Sequence, residues 1–267
     1  MPPNGSDNID RKPLLKVENI GKRFGGILAL SDVDLEVFPG EIVGIIGPNG
    51  SGKTTFVNSI TGFVKTDTGK VSFKGEDITN LEPHKIADRG LTRTFQVMRP
   101  YFSLPAYKNL IVPLFSPRAR RTGGWRGGGK MGRRDTVAVD ILEEIGFVRD
   151  SYVPYKIAST LPTGYLKRLE LARCLAVRPE LIVCDEVFSG LSMSEMASMV
   201  PLVEKLQMEG MTLIMVEHRL RELFRLATRV MVLNFGCKIA EGTPEEVMGH
   251  KEVKEAYFGS EEVYDYV

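Results

Sequence analysis

The chain has 267 residues, 43% hydrophobic and 26% charged, with a formal net charge of +1. That length buries a substantial core in one domain, and the composition is that of an ordinary globular protein, which excludes disordered and fibrous classes. The near-zero charge balance argues against a broad nucleic-acid-binding surface, so no nucleic-acid partner is expected.

Residues 1–12 are polar and punctuated by proline, and they read as a flexible tail with no secretory apolar core. No apolar run reaches the roughly 18–20 residues that cross a bilayer, and "LIVPLF" at 110–115, among the longest, is only of strand length. A cytoplasmic chain is expected. Cys174, Cys184 and Cys237 are odd in number, widely spaced and form no CxxC pair, so they read as buried inert thiols rather than a disulfide framework or zinc site.

From residue 14 to residue 47, short β-branched or alternating runs are separated by Gly and Pro, which predicts strands and tight turns. The segment "EIVGIIGPNGSGKTTFVNSI" follows. A buried strand over 41–46 runs into Gly47-x-x-x-x-Gly52-Lys53-Thr54 and then a helix, the context that a phosphate-binding loop requires. Its glycines let successive N–H groups turn inward around phosphate oxygens, and the helix N-terminus adds partial positive charge there. Lys53 is placed to reach the β and γ phosphates and the Thr54 hydroxyl to ligate Mg²⁺. Gly47, Pro48, Asn49, Gly50, Ser51, Gly52, Lys53, Thr54 and Thr55 are the candidate nucleotide-binding residues.

"GKVSFKGEDIT" at 69–79 predicts another strand, ended by a turn. Residues 116–135 carry seven Arg or Lys and six Gly with few core-forming side chains, and they read as a mobile surface insertion. Its charge also suits anionic lipid headgroups; its single aromatic, Trp125, gives little support to RNA stacking. Helical periodicity holds from 136 to 176, after which "LIVCDE" is a buried strand carrying Asp185 and Glu186 to its C-terminal end. There Asp185 could hold Mg²⁺ through water and Glu186 polarise an attacking water. Ser192 with Glu195 forms a capping-box pattern, Met196, Met199, Val203 and Leu206 share one helical face, and Pro201 should kink that helix. "MTLIMVEH", "RVMVLNFGCKIAEG" and a helical 243–259 close the pattern. Strands alternating with helices in this half predict a parallel sheet.

The phosphate loop, "TRTFQ" ending at Gln96, "LPTGYLKRLELARCLA", "LIVCDE" and "MVEH" ending at His218 occur in an order that resembles the ATP-binding subunits of ABC transporters, over residues 13–259. The segments at 60–96 and 240–259 are similar to those of the branched-chain amino-acid uptake ATPases. The resemblance implies an α/β P-loop fold of ABC ATPase type, with a mostly parallel core sheet, an antiparallel β subdomain and a helical subdomain at about 100–177. It implies ATP and Mg²⁺ as cofactors, with Phe24 stacking on adenine, Thr54, Gln96 and Asp185 at the metal, Glu186 as general base and His218 on the γ-phosphate. It further implies a head-to-tail dimer with an identical or different ATPase chain, whose Leu161, Thr163 and Gly164 close on the opposite ATP. Integral membrane permease subunits would be the other partners, at the inner face of the cell membrane.

The usual LSGGQ signature reads "LPTGY" here: Pro162 lacks a hydroxyl and Tyr165 replaces glutamine. Val187, Ser192 and Arg219 also depart from the common pattern, Arg219 by reversing a charge. Since the hydrolytic residues are intact and the changes fall in the half-site offered to the partner, an active importer ATPase is expected. An ATP-binding regulatory subunit with weak turnover, or an ABC ATPase not tied to transport, are the alternatives.

Overall fold

The computed structural model describes residues 12–122 and 134–258. Two sheets organise them. β1 (Leu15–Phe24), β2 (Ile27–Val37), β4 (Thr68–Phe73) and β5 (Glu76–Asp77) form an antiparallel sheet in the order β2-β1-β4-β5, with β3 (Ile42–Ile46) in the other sheet. Lys74 and Gly75, both at positive φ, make the tight turn between β4 and β5, as "KGED" predicts. The second sheet has the order β10-β9-β3-β8-β7-β6, contributed by β6 (Leu91–Arg93), β7 (Leu181–Asp185), β8 (Thr212–Val216), β9 (Arg229–Asn234) and β10 (Cys237–Gly242). All its pairings are parallel except β9 with β10.

β3, β7 and β8 are buried along their whole length and mostly apolar, because both of their faces are covered. Alternation along the strand then divides the core. Val43, Ile45, Leu181, Val183, Ile214, Met231 and Leu233 join the cluster shared with the antiparallel sheet and with α1 (Lys53–Ile60). Ile42, Ile46, Ile182, Cys184, Leu213, Met215, Val230 and Val232 face the other way. They pack with α5 (Arg134–Glu144), α6 (Thr163–Ala176), α7 (Met193–Met208) and α8 (Leu220–Leu226). Among the described residues the helical region therefore has no separate core of its own; Leu110, Ile141, Phe147 and Leu169 belong to the same cluster as the sheet.

Local structure follows the sequence pattern at some points and departs from it at others. "LIVPLF" contributes a short helix, α3 (Ile111–Leu114), following α2 (Pro83–Arg89) and a 3₁₀ turn at Tyr107–Leu110. Buried Asn109 fixes that approach by accepting from Tyr101 N at 2.6 Å and donating to Pro105 O at 3.0 Å. The 243–258 stretch is two helices, α9 (Pro244–Gly249) and α10 (Lys251–Phe258), parted by extended backbone at His250. α7 carries the capping box at Ser192 and the buried Met196, Met199, Val203 and Leu206, and it continues through Pro201. Burial pushes the Cys174 thiol up to about 12 and Cys184 well above its usual value, whereas Cys237 is exposed.

The basic insertion begins inside the fold. Ser116 caps α4 (Pro117–Arg121), and the Arg118 guanidinium is buried, donating to Arg178 O at 2.6 Å, Arg89 O at 2.9 Å and Glu180 Oε1 at 2.7 Å. It fills the space above Gly90, where a Cβ would lie 2.6 Å from the Arg118 Cζ. The mobile-loop reading thus fails for 116–122; residues 123–133 lie outside the described residues. Replacing Arg118 by Ala is expected to lower unfolding free energy by about 1.5–3 kcal/mol, since three acceptors lose a charged donor. Thermal denaturation of R118A at matched concentration checks this; an unchanged midpoint contradicts it.

Candidate nucleotide site

Buried β3, at the centre of the parallel sheet, delivers the phosphate loop. Gly47, Gly50 and Gly52 have φ of 152°, 79° and 104°, a region that side chains resist. At Gly47 a Cβ would also lie 2.1 Å from Leu233 O, and at Gly52 2.8 Å from Ala29 O. Gly52 stands at the N-cap of α1 and brings no side chain to accept from the first-turn N–H groups, leaving them for an anion. Lys53 is buried and donates to Gly47 O at 2.7 Å and Pro48 O at 2.9 Å. Burial lowers its pKa from the usual lysine value, opposed by the Glu186 and Asp185 charges. Among the described residues, Ser51 Oγ is buried with no hydrogen-bond partner, a polar atom that fits a phosphate oxygen. Asn49, Gly50 and Thr54 are exposed, while Pro48 and Thr55 are half-buried. Behind the loop, α10 contributes Tyr257, whose phenol burial pushes up to about 12, partly offset by the Gly47 backbone N–H.

Asp185 ends β7 beside this loop and is 4% exposed. Its Oδ2 accepts from Arg93 Nη2 at 2.6 Å, and its N–H donates to Thr94 Oγ1 at 3.0 Å. Arg93 also reaches Asn58 on α1 and lies between the Phe63 and Phe95 rings. The next residue, Glu186, has φ 52°. Gln96 Nε2 donates to its Oε2 at 3.0 Å, and His218 Nε2 lies 3.2 Å from its Oε1. Of the three residues assigned to catalysis from the sequence, Gln96 and His218 therefore converge on the carboxylate of the third, Glu186. Phe24 is half-exposed at the end of β1, with Lys22 Nζ 5.3 Å from its ring centroid.

Leu161, Thr163 and Gly164 sit elsewhere, at the start of α6. Among the described residues no hydrogen bond links them to 47–55; Gly164 N donates to Glu195 Oε1 at 3.0 Å instead. Pro162 is the N-cap of α6 with extended backbone, which its ring favours. Tyr165 turns inward, edge-on to Phe147 at 5.0 Å with 67° between the rings. Arg219, at the N-cap of α8, donates from Nη2 to Leu191 O at 3.2 Å, tying the end of the turn after Glu186 to the start of that helix.

Two buried ionisable side chains lie outside the residues that the sequence motifs single out. Lys167, on α6, donates to Glu186 O at 2.8 Å; Glu217, before His218, accepts from Phe188 N at 3.1 Å. Burial pushes the Glu217 carboxyl up to about 8, against the pull of the Phe188 N–H and Lys167. The helical period held a signal: Lys167 falls on the same face as Gly164, Leu171 and Cys174, all buried.

Residues 30–189 match the ABC transporter family, and 237–263 match the branched-chain amino acid ATP-binding cassette transporter C-terminal family. The chain belongs to the ATP-binding subunits of ABC transporters. It is 34% identical over 258 residues to the high-affinity branched-chain amino acid transport ATP-binding protein BraF of Pseudomonas aeruginosa, covering 93% of this chain and 98% of that one. LivG of Escherichia coli, of the same description, is 35% identical over 256 residues with the same coverage. A crystal structure of the ADP conformation of an ABC transporter cassette superposes with a TM-score of 0.80 at 33% identity, covering 93% of this chain and 99% of that one. A dimeric cassette in a post-hydrolysis state bound to ADP and Pi gives 0.73 at 26%, covering 86% and 98%. This ABC subunit is an ATPase that powers an importer, and its domain binds ATP.

Tyr165→Gln restores the common signature residue but removes the Phe147 contact. It is expected to cost at least about 0.5–1.5 kcal/mol of stability from the lost ring pair, without raising turnover. Chemical denaturation alongside steady-state ATPase rates checks both; a faster enzyme would mean that Tyr165 faces the nucleotide.

Proposed function

We propose that this chain hydrolyses ATP as one of two head-to-tail ATPase chains driving an integral membrane permease, with branched-chain amino acids or similar small solutes as cargo. The observation that carries the reading is the Glu186 carboxylate at the end of β7, flanked by Gln96 and His218 beside the phosphate loop. Lys53 and the α1 N–H groups hold the polyphosphate, Phe24 offers a ring face to adenine, and Ser51 supplies a hydroxyl to the phosphates. Glu186 accepts the proton of the water that attacks the γ-phosphate, Gln96 orients that water, and His218 stabilises the charge that develops. Thr54, Gln96 and Asp185 form an all-oxygen donor set suited to Mg²⁺, which when bound neutralises phosphate oxygens. Leu161, Thr163 and Gly164 close on the partner chain's ATP, Thr163 supplying the hydroxyl that Pro162 lacks.

The cargo reading rests on the names of the relatives and on the C-terminal match. The permease reading is supported by a cleft of about 320 Å³ beside the Gln96 segment, lined by Phe63, Pro83, Phe95, Arg99, Pro113 and Arg173. Among the described residues no helix is long and apolar enough to cross a membrane, so membrane contact would come through such docking at the inner face.

Glu186→Gln keeps size and hydrogen bonding but removes the base. Turnover is expected to fall about 10²–10⁴-fold with ATP binding retained. Steady-state hydrolysis and equilibrium ATP titration on the same preparation check it; undiminished turnover would favour the binding-only subunit.

A further inference from the structure

Glu186 is a non-glycine residue in the left-handed region, a conformation that persists only where its surroundings impose it. Its N–H donates to Val216 O at 2.9 Å and its carbonyl accepts from Ser189 N at 3.2 Å, both ordinary backbone contacts. Two further contacts are unusual because each comes from a buried ionisable side chain. Lys167, 5% exposed, reaches from α6 to the Glu186 carbonyl at 2.8 Å. Glu217, 2% exposed, takes the Phe188 N–H at 3.1 Å and also a backbone hydrogen bond from Val187.

We propose that Lys167 and Glu217 are positioning residues that hold the turn at 186–188 in the one geometry that presents the Glu186 carboxylate to Gln96 and His218. This rests on the reading of Glu186 as general base. Apolar side chains would fill these two sites at lower desolvation cost, so packing alone does not account for the pair. Their polar atoms converge on the turn from opposite elements, Lys167 from the helix that begins with the signature segment and Glu217 from the end of β8. Among the described residues they share no direct ion pair; each hydrogen-bonds the peptide chain that bears the base. Without Lys167 the Glu186 carbonyl is left with one backbone donor, and Glu186 is free to relax toward negative φ. That rotation would carry the carboxylate off Gln96 and His218.

The test uses the full chain with Mg-ATP, comparing K167M, K167R, E217Q and E186Q for kcat, KM, equilibrium ATP affinity and thermal midpoint. A misplaced catalytic group costs up to about 100-fold, so K167M is expected to lower kcat about 10–100-fold with KM and ATP affinity within about threefold of the parent. K167R, which keeps a donor, restores part of that loss. E217Q, which keeps the shape and one acceptor oxygen, lowers kcat by a smaller factor. The K167M/E217Q double variant loses less than the product of the single losses, because both act on one turn. If K167M and E217Q turn over within about twofold of the parent while E186Q is inactive, positioning is wrong and the base assignment stands. A fall in ATP affinity matching the fall in kcat overturns it equally, since that marks a folding defect. Parent-level turnover in E186Q removes the base assignment and this inference together. Should K167M be too unstable to purify, E217Q decides.

Discussion

The arrangement depends on backbone donors at the start of α1 that, among the described residues, no capping side chain satisfies. Gly52 caps the helix without a side-chain acceptor, and Gly47 and Gly52 sit where a Cβ would meet backbone oxygens. The loop is thereby forced into a concave run of amides at the positive end of a helix dipole. Everything around it serves this concavity. β3 is buried on both faces and fixes where the loop begins, Tyr257 backs the Gly47 amide, and the turn at Phe235–Gly236 bonds Ser51 O through Gly236 N at 3.0 Å. Lys53, held by two loop carbonyls, is already aimed across the site, so little side-chain freedom remains to be lost on binding.

The second constraint is that the acid residues lie at the carboxyl end of β7, one strand removed from β3 in the same sheet. β7 and β8 are in parallel register with Asp185 opposite Val216, so Glu186 and His218 emerge at one edge. Arg93, from β6, closes this edge by joining Asp185 to Asn58 on α1. A bound nucleotide would thus be surrounded by parts of four strands whose relative heights are set by ladder hydrogen bonds rather than by loop geometry.

Much of this was legible in the sequence because it is local. The spacing Gly47 to Thr54 encodes loop geometry, "LIVCDE" encodes a buried strand with acids at its end, and alternation along the central strands sorts residues between two cores. What escaped is set by partners far away in the chain. Arg118 looked like one more solvated arginine in a basic run until Arg89, Arg178 and Glu180 surround it. "LIVPLF" has strand-like length but contains Pro113 and follows the buried Asn109 turn, so it coils. Arg219, read as a charge reversal, has its acceptor at Leu191, 28 positions away. Lys167 and Glu217 carry no motif; only the burial of the helical face and strand end around them marks them.

The contact between Gly164 and Glu195 bears on which anions this surface admits. Glu195 is capped in place by Ser192 at the head of α7, and its Oε1 meets the Gly164 amide at 3.0 Å. Being part of the same chain, that carboxylate is present at an effective concentration that dissolved sulfate or free phosphate in a cell does not reach. Small anions from bulk solution are accordingly outcompeted at the head of α6. An oxyanion presented on a second protein surface must likewise displace the Glu195 carboxylate before it meets the Gly164 amide.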